Sequence, residues 1–193
     1  NEIIQLNKNS TLIFAFSVFV FTIKPTMIWL PILSFLYFIR DFMFVPKKII
    51  PATLVLSFYL FKNLWTFGFP IFPVQVFDLG LSWKPNPEVL KSSAEMARLK
   101  TYDMQYTYSE IMNFSKFSEI KNWLFLKGIK SKINISFVLV LIIFFVFSLK
   151  KNSRTIWLVF ISVLIKSLLV LSFSAQYRFF ADVFFASFFV FFK

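Results

Sequence analysis

The sequence predicts an all-α, polytopic integral membrane helix bundle with five or six transmembrane helices and one extracytoplasmic helical segment. Apolar residues make up 58% of the 193 residues, and the mean hydropathy is +0.73. Soluble domains usually contain roughly 45–50% apolar residues. Five or six apolar runs approach the roughly 20 residues that a helix needs to cross about 30 Å of hydrocarbon. The basic residues mostly lie between these runs, which is typical of loops that set membrane orientation.

The residue types that are missing exclude several kinds of chemistry. The chain has no cysteine and no histidine, which excludes disulfides, thiol nucleophiles, a histidine general base and zinc sites with nitrogen or sulfur ligands. Its three glycines cannot form a phosphate-binding loop. The net charge of +12 would suggest nucleic acid in a soluble protein. In a membrane protein we expect lipid as the partner, no nucleic acid and no metal, and no cofactor can be assigned.

Residues 1–73 are expected to hold membrane helices 1 to 3. Thr11–Ile23 and Thr26–Ile39 are apolar, and Lys24-Pro25 separates them. This break is either the kink of one long helix or the turn between two short helices. We favour two short helices because proline removes a backbone donor and biases the preceding residue away from helix. The third span covers Ala52–Phe67, after which a glycine and two prolines end the helix.

Residues 74–132 form the one long polar stretch, which is expected to be extracytoplasmic and partly helical. Asn86-Pro87-Glu88 has the pattern of an N-cap, a first helical residue and a first-turn acid. This pattern predicts a helix to about Lys100. A second helical pattern covers roughly Glu110–Lys127. Its lysine-rich later part is expected to lie along the membrane surface, with Trp123 at the interface.

Residues 133–193 are expected to hold membrane helices 4 to 6. Ile133–Leu149 and Thr155–Phe173 are apolar spans of 17 and 19 residues. Phe179–Phe192 begins a last span that the end of the chain truncates. Because the chain has no initiating methionine and stops after an apolar run, we interpret it as a piece of a longer membrane protein.

The distribution of charge predicts the orientation of the spans. With a turn at Lys24, one side of the membrane holds eight basic residues: Lys8, Arg40, Lys47, Lys48, Lys150, Lys151, Arg154 and Lys193. The short loops on the other side hold only Lys24 and Arg178. Because cytoplasmic loops carry an excess of Lys and Arg, the basic side is predicted to be cytoplasmic. We therefore expect a multi-pass protein of the bacterial inner (cytoplasmic) membrane.

Three cations at or near membrane depth are the candidate lipid-phosphate-binding residues: Lys24, Lys166 and Arg178. Ionisable residues at this depth are costly and by default suggest function. Lys166 lies about 12 residues into its span, where it either snorkels to the interface, forms a structural ion pair or binds a ligand. Arg178 is four residues before Asp182. Either these two residues pair with each other, or Arg178 is available to bind a phosphate. No catalytic residue can be assigned.

Four short stretches carry a resemblance to a known type of protein. Thr22-Ile23-Lys24-Pro25-Thr26 lies between two short apolar runs, and Lys62–Pro73 joins a Lys-Asn pair to a glycine and two prolines. Ser82-Trp83-Lys84-Pro85 and Arg178-Phe179 follow. Together they resemble bacterial polytopic membrane proteins of the GT-C glycosyltransferase-like type, and more narrowly a membrane family of Bacteroidetes and Leptospira.

This resemblance implies transfer of a sugar from a polyprenyl-phosphate donor on the outer face of the membrane, in the assembly of a cell-surface polysaccharide or glycan. The essential carboxylate of such enzymes usually lies in the first extracytoplasmic loop, which would be upstream of Asn1. Lys24 and Arg178 would then contact the lipid phosphate. The alternatives are an O-antigen polymerase-like protein, or a non-enzymatic subunit that binds other membrane subunits of a larger complex.

Overall fold

A computed structural model describes residues 9–73 and 77–192, and every regular element in these ranges is a helix. The α-helices are α1 (Ser10–Ile23), α2 (Trp29–Phe44), α3 (Ile50–Phe67), α4 (Pro87–Thr101), α5 (Tyr108–Met112), α6 (Lys116–Leu124), α7 (Ile129–Lys151), α8 (Arg154–Phe173) and α9 (Ala181–Phe191). Short 3₁₀ turns occupy Pro25–Met27, Pro46–Ile49 and Tyr177–Phe180. The predicted all-α class is confirmed.

Four helical stretches in the described residues are long and apolar enough to cross a membrane: Pro25–Phe44, Pro46–Phe67, Ile129–Lys151 and Arg154–Phe173. Each contains 20 to 23 residues. The other two apolar helices, α1 and α9, contain 14 and 11 residues. At 1.5 Å per residue they extend only about 21 and 16 Å, short of the roughly 30 Å of hydrocarbon.

The chain turns at Lys24, so α1 and α2 form an antiparallel hairpin. The hydroxyls of Ser17 and Ser34 lie 2.7 Å apart midway along it, and the Ser10 hydroxyl donates to Asp41 over 2.5 Å at its other end. The structure therefore has two short helices rather than one kinked helix. Helix α3 packs back against α1, and α2 joins this N-terminal group to α8.

The end of α3 is closed by hydrogen bonds to the loop that follows it. Gly68 ends the helix with φ +79°, a left-handed conformation that glycine adopts without strain. The buried Asn63 amide donates to the Pro70 carbonyl over 3.0 Å. The Trp83 indole donates to the Trp65 carbonyl over 3.1 Å. Two of the stretches that carry the resemblance therefore lie against each other.

The core of the C-terminal group contains buried residues of α6, α7, α8 and α9, and α6 packs onto α7. Trp123 is central to it: the residue is only 4% exposed, and its indole donates to the Ala175 carbonyl over 2.7 Å. Its ring packs edge-on against Phe137 and Phe180. Trp123 therefore packs inside the protein, and its position at the membrane interface stays a prediction. The carbonyl at the end of α8 supplies the indole with a partner inside the protein.

The polar segment forms three helices above the bundle. Asn86 caps α4 as predicted, because its side-chain oxygen accepts from the Glu88 backbone N–H over 2.8 Å. The helical pattern predicted over Glu110–Lys127 is divided into α5 and α6, and the Ser115 side chain caps the second of them. A cluster of edge-to-face rings of Tyr102, Tyr106 and Phe114 packs between these helices.

One end of the bundle gathers Lys24, residues 68–73, residues 77–128 and residues 174–180, and we call it the outer end. The opposite end holds the described basic residues of the side predicted to be cytoplasmic: Arg40, Lys47, Lys48, Lys150, Lys151 and Arg154. Lys8 and Lys193 lie outside the described residues.

Candidate functional site

A shallow cavity of about 430 Å³ opens at the outer end, between α4 and the 3₁₀ turn that precedes α9. Helix α4 contributes Ser92, Ser93 and Lys100 to its wall, and the opposite wall contains Gln176 and Arg178. None of the residues that line it is acidic. The cavity therefore presents two cations and several neutral hydrogen-bonding groups.

The two cations of the cavity are both exposed, and none of the described carboxylates pairs with either of them. Arg178 projects from the 3₁₀ turn with its guanidinium 5.2 Å from the ring centre of Phe179. Lys100 comes from the last turn of α4. A guanidinium binds two phosphate oxygens at once, whereas an ammonium acts as a point charge. The pair thus suits an anion of phosphate chemistry.

Hydrogen bonds tie the two walls of the cavity together. The Ser174 hydroxyl donates to the Ala97 carbonyl of α4 over 2.9 Å and accepts from the Gln176 amide over 2.8 Å. Between them, Ala175 accepts the indole hydrogen bond of Trp123. The loop that carries Arg178 is therefore held from both α4 and α6.

Lys166 is fully buried and does not face the cavity. Its Nζ atom lies 2.6 Å from Oδ1 of Asp182 and also donates to the Phe179 carbonyl. It sits 5.4 Å from the ring centre of Phe180. Among the alternatives for Lys166, the structure has the ion pair and neither a snorkelling side chain nor an open ligand site.

The Asp182 carboxylate pairs with Lys166 rather than with Arg178. The spacing of four residues would place Arg178 and Asp182 on one face of an α-helix. In the structure Arg178 lies in the 3₁₀ turn and Asp182 in the first turn of α9. The change of helix type at Ala181 therefore separates the two side chains and leaves Arg178 for the cavity.

Lys24 is exposed in the turn between α1 and α2. The 3₁₀ turn next to it packs against α8, and the charge of Lys24 is close enough to act on Lys166. Lys24 does not line the cavity that contains Arg178. The structure therefore brings Lys24 near Lys166, and it places Arg178 with Lys100, a residue that the sequence did not single out.

A second cavity, of about 440 Å³, lies between α1, α2 and α3. Its walls contain only apolar and aromatic side chains, among them Val18, Leu56 and Ile71. The next two residues of the chain, Phe72 and Pro73, line the first cavity. The loop after α3 therefore borders both a cationic cavity and an apolar one.

Other charges of the outer end form local pairs, of which two are examples. Lys84 donates to both oxygens of Asp78, at 2.7 and 2.6 Å, and this bond lowers the pKa of the Asp78 carboxyl. Lys130 pairs with Asp103. In the described part of the chain, no group of three or more acidic side chains could hold a metal ion.

The fold defines a class: an all-helical protein with several apolar helices compatible with a membrane. Within that class the chain belongs to the family described as a domain of unknown function (DUF8201), whose model matches residues 1–185. No curated protein and no solved structure matches the chain.

Proposed function

We propose that the protein is a multi-pass protein of the bacterial inner membrane that binds the phosphate of a polyprenyl-linked sugar at its outer face. In this proposal it is part of a GT-C-like glycosyltransferase that assembles a cell-surface polysaccharide or glycan. The observation that carries the proposal is the outer-end cavity, which Arg178 and Lys100 both line and which no carboxylate lines.

The surface of the bundle supports insertion into a membrane. Large apolar side chains stand exposed on α3, where Phe58 and Phe61 are examples, and on α7, where Ile142 and Val146 are examples. Contiguous apolar surface of this kind is rare on soluble monomers. The shorter apolar helices α1 and α9 would supply the fifth and sixth membrane helices.

The chemistry of the cavity supports a lipid phosphate as the ligand. Arg178 can hold two phosphate oxygens, and Lys100 can neutralise the remaining charge. The apolar cavity that shares the loop after α3 offers space for part of the hydrocarbon chain. Pockets of 300–1,000 Å³ are typical of small-molecule sites.

Binding of a polyprenyl phosphate by the full-length protein in lipid nanodiscs tests this proposal. Arg178→Gln and Lys100→Gln should each weaken binding, and the double variant should lose it. Lys91→Gln is the matched control, because Lys91 lies on α4 but does not line the cavity and instead pairs with Glu95. Equal binding by the double variant and the control would overturn the proposal.

The transfer reaction needs a separate measurement, because the catalytic carboxylate is expected outside these residues. Transfer of the sugar from the polyprenyl-phosphate donor to an acceptor by the full-length protein would support the glycosyltransferase. Binding without transfer would favour the non-enzymatic subunit, and polymerisation of lipid-linked repeat units would favour the O-antigen polymerase-like alternative.

A further inference from the structure

Helix α6 has an apolar face of which only one side is covered by the protein. Trp123 is 4% exposed, whereas Phe117 is 76% and Ile120 61% exposed. At 3.6 residues per turn, these three side chains fall within an arc of about 120°. The exposed part of the face therefore adjoins the part that packs on the bundle.

The end of α6 lies at the level where a membrane span begins. The Ser131 hydroxyl donates to the Leu124 carbonyl over 2.9 Å, and the Asn134 amide donates to the Trp123 carbonyl over 2.8 Å. Both donors belong to the first two turns of α7, a helix long and apolar enough to span a membrane. Helix α6 therefore cannot rise far above the outer surface of the membrane that α7 would cross.

Exposed lysines lie on α6 and in the segment that follows it. Lys121, Lys127 and Lys132 are exposed, and none of the described carboxylates pairs with them. Lys121 follows Phe117 by one helical turn, so it borders the apolar arc. Basic residues at the edge of an apolar helical face are typical of helices that lie in the headgroup region of anionic bilayers.

We infer that α6 is an interfacial helix that inserts Phe117 and Ile120 into the outer leaflet and binds anionic phospholipid headgroups through these lysines. This binding is independent of the proposed lipid-phosphate cavity, since none of these residues lines it. It also has a consequence for that cavity. Trp123 connects α6 to Ala175, so contact of α6 with the leaflet would fix the height of the loop that carries Arg178.

Spin labels on single cysteines test the depth of α6, because the chain has no cysteine of its own. The full chain, in vesicles of phosphatidylethanolamine and phosphatidylglycerol mixed about 3:1, carries a nitroxide at Phe117→Cys or Ile120→Cys. Ser118→Cys, on the opposite side of α6, is the control. We expect oxygen to reach the first two labels several-fold better than a water-soluble nickel complex does, and the reverse order at Ser118→Cys. Equal access of the nickel complex to all three labels would overturn the inference.

Replacing the anionic lipid tests the role of charge. When phosphatidylcholine replaces phosphatidylglycerol, the label at Phe117→Cys should become more accessible to the nickel complex. A variant that also carries Lys121→Gln, Lys127→Gln and Lys132→Gln should not respond to the change of lipid. An equal response in both proteins would contradict headgroup binding by these lysines. Protection of the label at Phe117→Cys from oxygen as well as from the nickel complex would instead indicate a protein partner and would also overturn the inference.

Discussion

Lys166 of α8 and Asp182 of α9 form an ion pair with 2.6 Å between Nζ and Oδ1, and the lysine side chain is fully enclosed. The same amine binds the Phe179 carbonyl, so one side chain holds both the first turn of α9 and the 3₁₀ turn before it. That turn carries Arg178. The buried pair thus links the interior of the bundle to the wall of the outer-end cavity.

Removing one partner of this pair should destabilise the protein more than removing both. Asp182→Leu leaves a buried ammonium without its counter-charge, and we expect a loss of about 3–5 kcal/mol. The double variant Lys166→Met with Asp182→Leu leaves no buried charge and should recover much of that loss. Unfolding in mixed micelles measures the four corners of this double-mutant cycle. A loss of stability in the double variant equal to the sum of the two single losses would contradict a coupled pair.

The elements that the sequence predicted best are those whose limits are set by local chemistry. Lys24-Pro25 ends one helix and starts another because of proline's backbone, and Asn86 caps α4 through its own side chain. The Lys166–Asp182 pair could not be predicted, because it depends on how α9 packs beside α8. The 3₁₀ turn that separates Arg178 from Asp182 likewise has no signal in the spacing of charges.

The hydrogen bond from Trp123 to Ala175 should contribute measurably to stability. Trp123→Phe keeps an aromatic ring but removes the donor, which leaves a buried carbonyl unpaired at a cost of about 1–3 kcal/mol. Trp83→Phe is the control, because its indole bonds the Trp65 carbonyl at an exposed position. Thermal unfolding in detergent should show a larger decrease in Tm for Trp123→Phe. Similar decreases would show that the hydrogen bond to Ala175 adds little.

Gly68→Ala should destabilise the end of α3 for two separable reasons. The left-handed backbone at φ +79° costs a residue with a Cβ about 1–2 kcal/mol. The new Cβ would also lie 3.1 Å from Cδ of Lys84. Gly80→Ala, at φ +63° with open space around it, carries only the backbone cost. The difference in Tm between the two variants measures the contact with Lys84, and no difference would mean that the lysine moves aside freely.

Tyr102 should give the protein a stability that falls at high pH. Burial, with a smaller contribution from the charge of Glu119, raises the pKa of its phenol from 10.0 to about 12. The unfolded chain therefore loses this proton at a lower pH than the folded protein does, so stability is fully present below pH about 10 and decreases up to about 12. The Tyr102→Phe variant should lack this part of the decrease. Absorbance titration at high pH measures the pKa of the phenol, and unfolding at a series of pH values measures the decrease in stability. Parallel curves of stability against pH for both proteins would contradict a buried phenol.

The candidate site could be predicted only in part from the sequence. Arg178 could be singled out from the sequence because it stands alone between apolar runs. Its proposed role depends also on Lys100, which lies 78 positions earlier by their numbers. Lys100 looked like an ordinary charge on a solvated helix. Only the packing of α4 against the loop at Ser174 brings the two cations to one cavity.

The most direct test of the whole account is the labelling of Ser92→Cys in intact cells with a membrane-impermeant maleimide. Ser92 lines the outer-end cavity, and the natural chain contains no cysteine to add background. Lys150→Cys, at the opposite end of the bundle, is the control. We predict that Ser92→Cys reacts in intact cells and that Lys150→Cys reacts only after permeabilisation. Labelling of Lys150→Cys in intact cells, with Ser92→Cys protected until the cells are permeabilised, would contradict an outward-facing site.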